Sequence, residues 1–364
     1  MKKVLLALVL ALGLAACGDK AEAPKENEKP VVKIGAIFPL TGNMAALGEG
    51  CKAGLLKAQK ENERKNLKYK YELIFENNLG NPATTTHAAN KLIHQDKVDI
   101  IISHFNGIGY VVAPIAEDND VLHFCGTFQN ADAKPMGKTS FVQGTSNEDL
   151  QKKVVEVIKK RGISNIAIIS FNFSSSAQLA ELIANKLQDE NVRTSLNVFN
   201  PGERDFRILI EKLKKEGFTY FYVLSAPPES DIILKQLHEA NIDNKYIFGQ
   251  GIDAGNNNDM YNDIICFSLN LGNQKFIDEV SQEYNLRNIY GAALNYDIFN
   301  LIVDSFESLY SENGKTSTND VVNYINNINK FGCVGGNCVV GSNNMIKTPI
   351  TLRTYKYGNP LILE

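Results

Sequence analysis

The stretch VVKIGAIFPLTGNMAALGEGCKAGLLKAQKEN, residues 31–62, decides the fold class of this chain. Its first eight residues are mostly apolar and rich in Val and Ile, which predicts a buried strand over 31–38. After a Pro-Leu-Thr-Gly-Asn turn, apolar residues return at helical spacing and predict a helix over 45–62. A buried strand followed directly by such a helix is the unit from which parallel sheets are built.

The same strand-to-helix unit repeats along the chain. In the first half the pattern predicts further strands over 69–77, 99–104 and 122–125 and further helices over 83–94 and 111–117. The cycle then restarts, with helices over 149–160, 177–189, 204–215 and 231–240 and strands over 165–170, 192–200, 220–225 and 246–249. Two successive sets of units predict two doubly wound, Rossmann-like α/β lobes.

The last third of the sequence has a different pattern. It predicts a short strand over 264–269, helices over 273–283, 292–310 and 318–328, and a strand over 348–356. The three helices have no matching new strands in this prediction. We therefore expect them to return and cover the first lobe.

Length and charge limit the function classes. At about 150 residues per domain, 364 residues allow about two compact units, each large enough to bury a core without metal or disulfide support. The 38 Lys and Arg residues against 41 Asp and Glu residues leave a formal net charge of −3. Because there is no basic excess to neutralise phosphates, nucleic acid is not expected as a partner.

The amino terminus has the features of an export signal. Two lysines precede an apolar run and the small residues before Cys17, so residues 1–16 are predicted to be a secretory signal peptide. The sequence LAAC at 14–17 resembles the lipobox of bacterial lipoproteins, which implies that Cys17 is lipidated and anchors the protein to a bacterial membrane, in the periplasm or otherwise outside the cytoplasm. Residues 17–30 are polar and contain proline, and they predict a flexible tether.

Five further cysteines follow Cys17 in a compartment that permits disulfides. Cys333 and Cys338 flank a flexible Val-Gly-Gly-Asn segment, so we expect these two to pair. Cys51, Cys125 and Cys266 are interpreted as buried, small apolar residues, and the odd number leaves at least one thiol free. No Cys-x-x-Cys motif occurs, so no metal site is predicted.

Three motifs in register carry a family resemblance. KIGAIFPLTG at 33–42, VAPIAE at 112–117 and YGAALNYD at 290–297 together resemble the leucine/isoleucine/valine-binding protein family, the type I periplasmic substrate-binding proteins of ABC importers. The resemblance spans nearly all of the chain after the tether. It implies two α/β lobes joined by three crossovers, near Gly144, Gly272 and Thr348, with a ligand held in the cleft between them.

These crossovers divide the chain into discontinuous lobes. The first lobe is expected to comprise 31–145 and 272–347, and the second to comprise 146–271 and 348–364. Ligands of open α/β sheets bind at the carboxyl ends of the strands, which agrees with a cleft site. Closure about the hinges would then bury the ligand.

The resemblance also implies ligand-binding positions in the first lobe. The Ser-Gly that follows the third strand in the family falls on Asn106-Gly107, and the Ser-Ala-Thr that follows the fourth falls on Thr127-Phe128-Gln129. Two hydroxyl positions that bind a ligand carboxylate are therefore amides here, at Asn106 and Gln129. Both amides are also compatible with a plainer role as caps of helices or turns.

In the second lobe the sequence departs further from the family pattern. Ser175 falls on the tyrosine that closes over the ligand in the family, and Gln250 falls near the acid that would pair with an amino group. Met44 and Tyr290 fall at positions near the variable group of the ligand, although helix packing also accounts for them. A buried ammonium needs an acceptor partner. With Gln250 in place of the acid, the ligand could be an amide, a neutral polar molecule or a carboxylate as well as an amino acid.

Catalysis is not expected. The chain lacks a Gly-x-Ser-x-Gly elbow and a glycine-rich phosphate loop, and no cofactor is predicted. The predicted function is capture of a small polar ligand and its delivery to ABC permease subunits in the inner membrane. The alternative is a ligand-sensing receptor domain that reports occupancy to a signalling partner, because both functions require the same ligand-bound, closed cleft.

Overall fold

A computed structural model describes residues 29–42, 44–127, 135–172, 174–252, 258–268, 271–286, 288–312 and 316–363; at 174, 175, 258 and 268 it describes the backbone. The signal peptide, Cys17, most of the tether, Phe128 and Gln129 lie outside these residues. None of the helices within them is both long and apolar enough to cross a bilayer.

The first half of the chain forms alternating strands and helices around a parallel sheet. The elements are β1 (Val31–Phe38), α1 (Ala45–Asn62), β2 (Lys70–Asn77), α2 (Pro82–Lys91, extended by a π turn over Leu92–Asp96), β3 (Ile100–His104), α3 (Asn106–Asp118), β4 (Leu122–Gly126) and β5 (Ser140–Gly144). The strands lie in the order β5-β4-β3-β1-β2, all parallel. The residues of β3, β4 and β5 are buried on both faces, as is typical of parallel sheets, and the edge strand β2 is half-exposed.

A second set of units builds a second sheet. Its elements are α4 (Asn147–Lys160), β6 (Asn165–Phe171), α5 (Ser174–Asp189), β7 (Arg193–Phe199), α6 (Arg207–Lys215), β8 (Phe221–Leu224), α7 (Glu229–Glu239), β9 (Ile247–Gln250) and β10 (Ile265–Ser268). The strand order is β10-β9-β8-β6-β7, again parallel. The α/β fold class predicted from the sequence is therefore confirmed.

The last third adds helices and strands to both sheets. It contains α8 (Gln274–Tyr284), α9 (Ala292–Ser308), α10 (Thr318–Asn327), β11 (Lys330–Cys333), β12 (Gly336–Gly341), β13 (Met345–Lys347), β14 (Thr351–Lys356) and β15 (Asn359–Ile362). In the described residues the first sheet thereby reaches eight strands, β11-β12-β13-β5-β4-β3-β1-β2, and the second reaches seven, β15-β14-β10-β9-β8-β6-β7.

The prediction that the late helices bring no new strands is wrong. The strands β11, β12 and β13 follow α10 and extend the first sheet, and β5 and β15 are also additional to the predicted elements. The hairpin of β11 and β12 is half-exposed and rich in glycine, which removes the apolar alternation that marks a strand. A disulfide joins Cys333 to Cys338 across this hairpin, and these are the two residues expected to pair.

The late helices nonetheless pack where they were expected. Ile298, Ile302 and Phe306 of α9 share one buried cluster with residues of β1 and α1. Helix α9 therefore belongs to the core beneath the first sheet, although more than 200 residues separate it from β1 and α1 in sequence.

The chain passes between the two sheets three times, between β5 and β6, between β10 and β11, and between β13 and β14. Gly144, Gly272 and Thr348 lie in or beside these three connections. Two of the connections run side by side, because the Thr348 amide donates to the carbonyl of Gly144 at 2.9 Å and the hydroxyls of Thr145 and Thr348 lie 3.3 Å apart.

His123 lies fully buried at the centre of the first sheet. Its two ring nitrogens contact the hydroxyls of Ser103, at 2.9 Å, and Ser140, at 3.0 Å, on the neighbouring strands. Burial lowers the pKa of His123 to about 3 and, by the same cause, that of His104 to about 3. Both imidazoles are therefore neutral in the folded protein at neutral pH.

This burial predicts a contribution to stability that is lost in acid. The unfolded chain protonates these histidines near pH 6.5 and the folded chain only near pH 3, so their contribution to stability should fall as the pH drops through that window. At pH 5 the loss should be about 2 kcal/mol for each histidine. Burial of Asp297 raises the pKa of that carboxyl to about 8 and acts in the opposite direction over the same window, so the histidine effect is measured as a difference between variants. When urea unfolding at pH 7 and pH 5 is compared, His123→Gln should lose about 2 kcal/mol less stability than the wild-type chain. An unchanged difference in that variant would contradict the assignment.

Candidate functional site

The carboxyl ends of parallel strands meet at one edge of each sheet, and the candidate residues lie at these edges. In the first sheet Asn106 and Gly107 follow β3 and Thr127 follows β4, the neighbouring strand. Met44 precedes α1 in the connection that follows β1, and β1 pairs with β3. Gln250 ends β9 in the second sheet. The structure thus brings the first-sheet candidates to one edge and places Gln250 at the corresponding edge of the other sheet.

Asn106 and Gly107 form the first turn of α3. The sequence pattern predicted that this helix begins at residue 111, which is wrong by five residues. Phe105 is the cap residue, and its side chain makes no capping hydrogen bond. Asn106 is already inside the helix, so it is not the cap of α3. The first-turn amides of an uncapped helix are natural hydrogen-bond donors for a polar ligand.

Phe105 gives the turn its unusual shape. Its φ of 73° is rare for a bulky residue. Neighbouring groups hold it there: the Phe105 amide donates to the carbonyl of Gly126 at 2.9 Å, and its ring contacts the His104 ring edge-to-face, with centroids 4.8 Å apart. The end of β3 and the start of α3 are therefore fixed by contacts with the core and with β4.

Thr127 is buried, with 3% of its surface exposed, directly after β4. Its amide donates to the carbonyl of Gln143 at 2.9 Å. A Cβ on Gly144 would lie 2.6 Å from the Thr127 methyl, so Gly144 allows β5 to lie close beside this residue. The neighbouring residues Phe128 and Gln129, which the sequence analysis also predicts to bind the ligand, lie outside the described residues.

In the second sheet Gln250 is buried, with 5% of its surface exposed, and its Oε1 accepts a hydrogen bond from the Tyr222 hydroxyl at 2.7 Å. The backbone of Ser175 lies in the first turn of α5, after β6. Among the described residues Glu229 is a buried acid at this edge, and it accepts from the Gly202 amide at 3.0 Å and pairs with Arg204 at 3.4 Å.

Met44 and Tyr290 have different surroundings. Met44 is half-buried and its sulfur lies against Gly80, in the connection that follows β2, so it remains at the strand-end edge. Tyr290 is 5% exposed, and its ring centre lies 5.4 Å from the guanidinium carbon of Arg353 on β14. Tyr290 therefore links the segment before α9 to the second sheet, and little of its surface is left for a ligand.

Sequence reasoning missed Tyr222. It lies in the middle of the apolar strand β8 and is fully buried. A buried tyrosine usually finds a hydrogen-bond partner for its hydroxyl, which was the available signal. This signal did not identify Gln250 as the partner, because the pairing of the two side chains depends on the register of β8 against β9.

The buried titratable groups are unsuited to nucleophilic chemistry. Burial raises the pKa of the Cys51 and Cys125 thiols, so neither is present as a thiolate at neutral pH. Within the described residues, the metal-ligating types that cluster are Asp297, Cys333 and Cys338. The two sulfurs of that cluster are joined in the disulfide, so no thiolate is available to a metal.

The sequence matches the profile of the family described as "Periplasmic binding protein" over residues 31–260. Among curated proteins, the Leu/Ile/Val-binding protein BraC3 of Rhizobium johnstonii is 26% identical over 226 residues, which is 61% of this chain and 62% of that protein.

Solved structures show the same architecture. The leucine binding protein LivK of Thermotoga maritima superposes with a TM-score of 0.75 at 19% identity, covering 92% of this chain and 98% of that one. A solute binding protein of an ABC transporter from R. palustris, in complex with 4-hydroxybenzoate, gives a TM-score of 0.75 at 15% identity, covering 92% and 95%.

Proposed function

We propose that this chain, which belongs to the periplasmic binding protein family, is an extracytoplasmic solute-binding protein that delivers a small polar ligand to an ABC importer. The family binds ligands and does not transform them, so the chain is a binding protein and not an enzyme. The observation that carries the proposal is the pair of sheets, each of which directs polar groups to its strand-end edge.

The two sheets support a division into lobes. Lobe 1 would comprise 31–145 and 272–347, and lobe 2 would comprise 146–271 and 348–364, in agreement with the sheet to which each strand belongs. Three connections, two of which run side by side, would make a hinge of limited freedom, because the lobes could rotate about it without separating. Ligand binding would stabilise the closed arrangement by contacts with both lobes.

The ligand would contact donors from lobe 1 and groups from lobe 2. In lobe 1 these are the first turn of α3, with Asn106 and Gly107, and the hydroxyl of Thr127. The remaining proposed contacts are Phe128, Gln129 and Met44 from lobe 1, Ser175 and Gln250 from lobe 2, and Tyr290 from the segment before α9. Residues from both lobes are required, since a ligand held by one lobe alone would not shift the equilibrium toward closure.

The names of relatives indicate the range of ligands. LivK is a leucine binding protein, and the R. palustris protein binds 4-hydroxybenzoate. Leucine and 4-hydroxybenzoate share a carboxylate. We therefore propose an amino acid or a related amide or carboxylate as the ligand class.

The amino-terminal sequence supports a location for this function. The proposed lipid anchor at Cys17 and tether over 17–30 would keep the binding lobes close to a membrane and free to rotate. The permease subunits of the importer would then meet the closed form at raised effective concentration.

Thermal unfolding in the presence of candidate ligands tests the proposal. Purified chain from residue 29 onward should be screened against amino acids, amides and small carboxylates, and the hits measured by isothermal titration calorimetry. A true ligand at 100 times its Kd should stabilise the folded protein by about 2.7 kcal/mol and raise the Tm. Chemical conversion of a bound compound, or no stabilisation by any compound in these classes, would contradict the proposal.

A further inference from the structure

Tyr222 and Gln250 form a buried polar pair between β8 and β9. In the register of the two strands Tyr222 lies opposite Phe248, and Gln250 lies opposite Leu224. The two side chains therefore meet across an offset of two residues, about 6.6 Å along the strands. Its hydroxyl donates to Gln250 Oε1 at 2.7 Å.

The direction of this hydrogen bond fixes the orientation of the amide. Among the described residues Gln250 Oε1 is the acceptor for the Tyr222 hydroxyl proton. Burial raises the pKa of Tyr222, so the phenol keeps that proton. A reversed amide would turn its N–H groups toward the phenol and leave the phenolic proton unpaired in the core. Such a loss costs about 1–3 kcal/mol.

The other end of the amide is available. Within the described residues Gln250 Nε2 makes no hydrogen bond, and it is not one of the buried polar atoms that lack a partner, so it reaches solvent. An amide nitrogen can only donate. It can bond a carboxylate or carbonyl oxygen, but an ammonium group offers it no acceptor.

The nearby acid Glu229 does not supply an acceptor for an ammonium group beside Gln250. Glu229 is 7% exposed, and its carboxylate is bonded to the Gly202 amide and paired with Arg204. Both contacts reach Glu229 Oε1 from the connection that follows β7, whereas Gln250 ends β9, on the other side of β8 and β6 in the sheet. The Glu229 carboxylate is therefore bonded on the side of the sheet away from the Gln250 amide.

We propose that Tyr222 is a positioning residue that holds the Gln250 amide with its N–H groups toward the ligand, so that lobe 2 selects a hydrogen-bond acceptor over an ammonium group. The preferred ligand is then a carboxylate or amide without an α-amino group. This inference rests on the proposed function, because it concerns the same site.

Matched pairs of probes test the selection. L-leucine and 4-methylpentanoate differ in the α-amino group, as do L-phenylglycine and phenylacetate. Isothermal titration of the wild-type chain should give an affinity at least tenfold higher for the member of each pair that lacks the amino group. Gln250→Glu should invert this preference, because the second carboxylate oxygen would accept from an ammonium group. Tyr222→Phe should bring the ratio of the two affinities toward one, because the Gln250 amide would no longer be held in one orientation.

The ratio within a pair separates positioning from stability. If Tyr222 had a purely structural role, its replacement would weaken the binding of both members of a pair equally and leave the ratio of their affinities unchanged. Tyr220→Phe, at a half-buried tyrosine just before β8, is the matched control and should leave the ratio unchanged. Tighter binding of the amino acid by the wild-type chain would overturn this inference and leave the proposed function intact. Binding of no probe or screened compound would overturn both.

Discussion

Replacing Gly54 with alanine should destabilise the protein by about 3 kcal/mol, at the upper end for an overpacked core position. Gly54 lies on α1 where this helix crosses the start of α9. A Cβ at residue 54 would lie 2.0 Å from the carbonyl oxygen of Ala292 and 2.8 Å from its carbon. Both contacts are with backbone atoms, so no side-chain rotation can relieve them.

The sign of this effect is itself informative. In an exposed helix the same substitution would stabilise by about 1 kcal/mol, because alanine has the higher helix propensity. A large loss would therefore report the packing of α1 on α9 and not the intrinsic preference of α1. Gly50, on the same face of α1, makes a similar approach to the carbonyl of Tyr290, just before α9, so this face depends on glycine at two positions.

Urea unfolding measures the change directly. Gly332→Ala is the matched control, because a Cβ at that position would meet nothing within 4 Å. This control should remain within about 0.5 kcal/mol of the wild-type chain. If Gly54→Ala proved as stable as the control, the close contact between α1 and α9 would be wrong, and with it the placement of α9 beneath the first sheet.

The repeating part of the fold could be predicted from local pattern. The predicted bounds of the first strand and first helix, 31–38 and 45–62, are those of β1 and α1. These elements are long and mostly buried, so the apolar pattern that marks them in the sequence is clear. The strands β11 and β12 gave no such signal, because only one of their ten residues, Cys338, is buried. Their place beside β13 is set by tertiary packing and the disulfide.

The candidate site could be predicted in part. Parallel strands end at a common edge, which is why Asn106, Thr127 and Gln250 were found at their respective edges. The start of α3 was not predictable in this way, since Gly107 and Gly109 disfavour a helix and Phe105 adopts a φ that bulky residues avoid. The bond from Tyr222 to Gln250 was beyond local pattern, because it depends on how two strands are aligned.

The largest effect on binding is expected at Gly107. It is exposed in the first turn of α3, its φ is not in the left-handed region, and a Cβ there would meet nothing within 4 Å. A larger side chain should therefore be accepted by the fold. If the ligand binds at this helix end, that side chain would occupy the space through which the ligand reaches the first-turn amides.

Gly107→Leu should therefore lower ligand affinity at least 100-fold, equivalent to about 2.7 kcal/mol, without a loss of apo stability. Gly107→Ala should cause a smaller loss, because a single methyl group fills less of the space. Gly332→Leu places the same side chain at another open, exposed glycine and should bind like the wild-type chain. Titration calorimetry with the compound identified by the thermal screen gives the affinities, and apo thermal unfolding controls for folding. Undiminished affinity in Gly107→Leu would remove the α3 terminus from the proposed site and leave the ligand to be held elsewhere between the lobes.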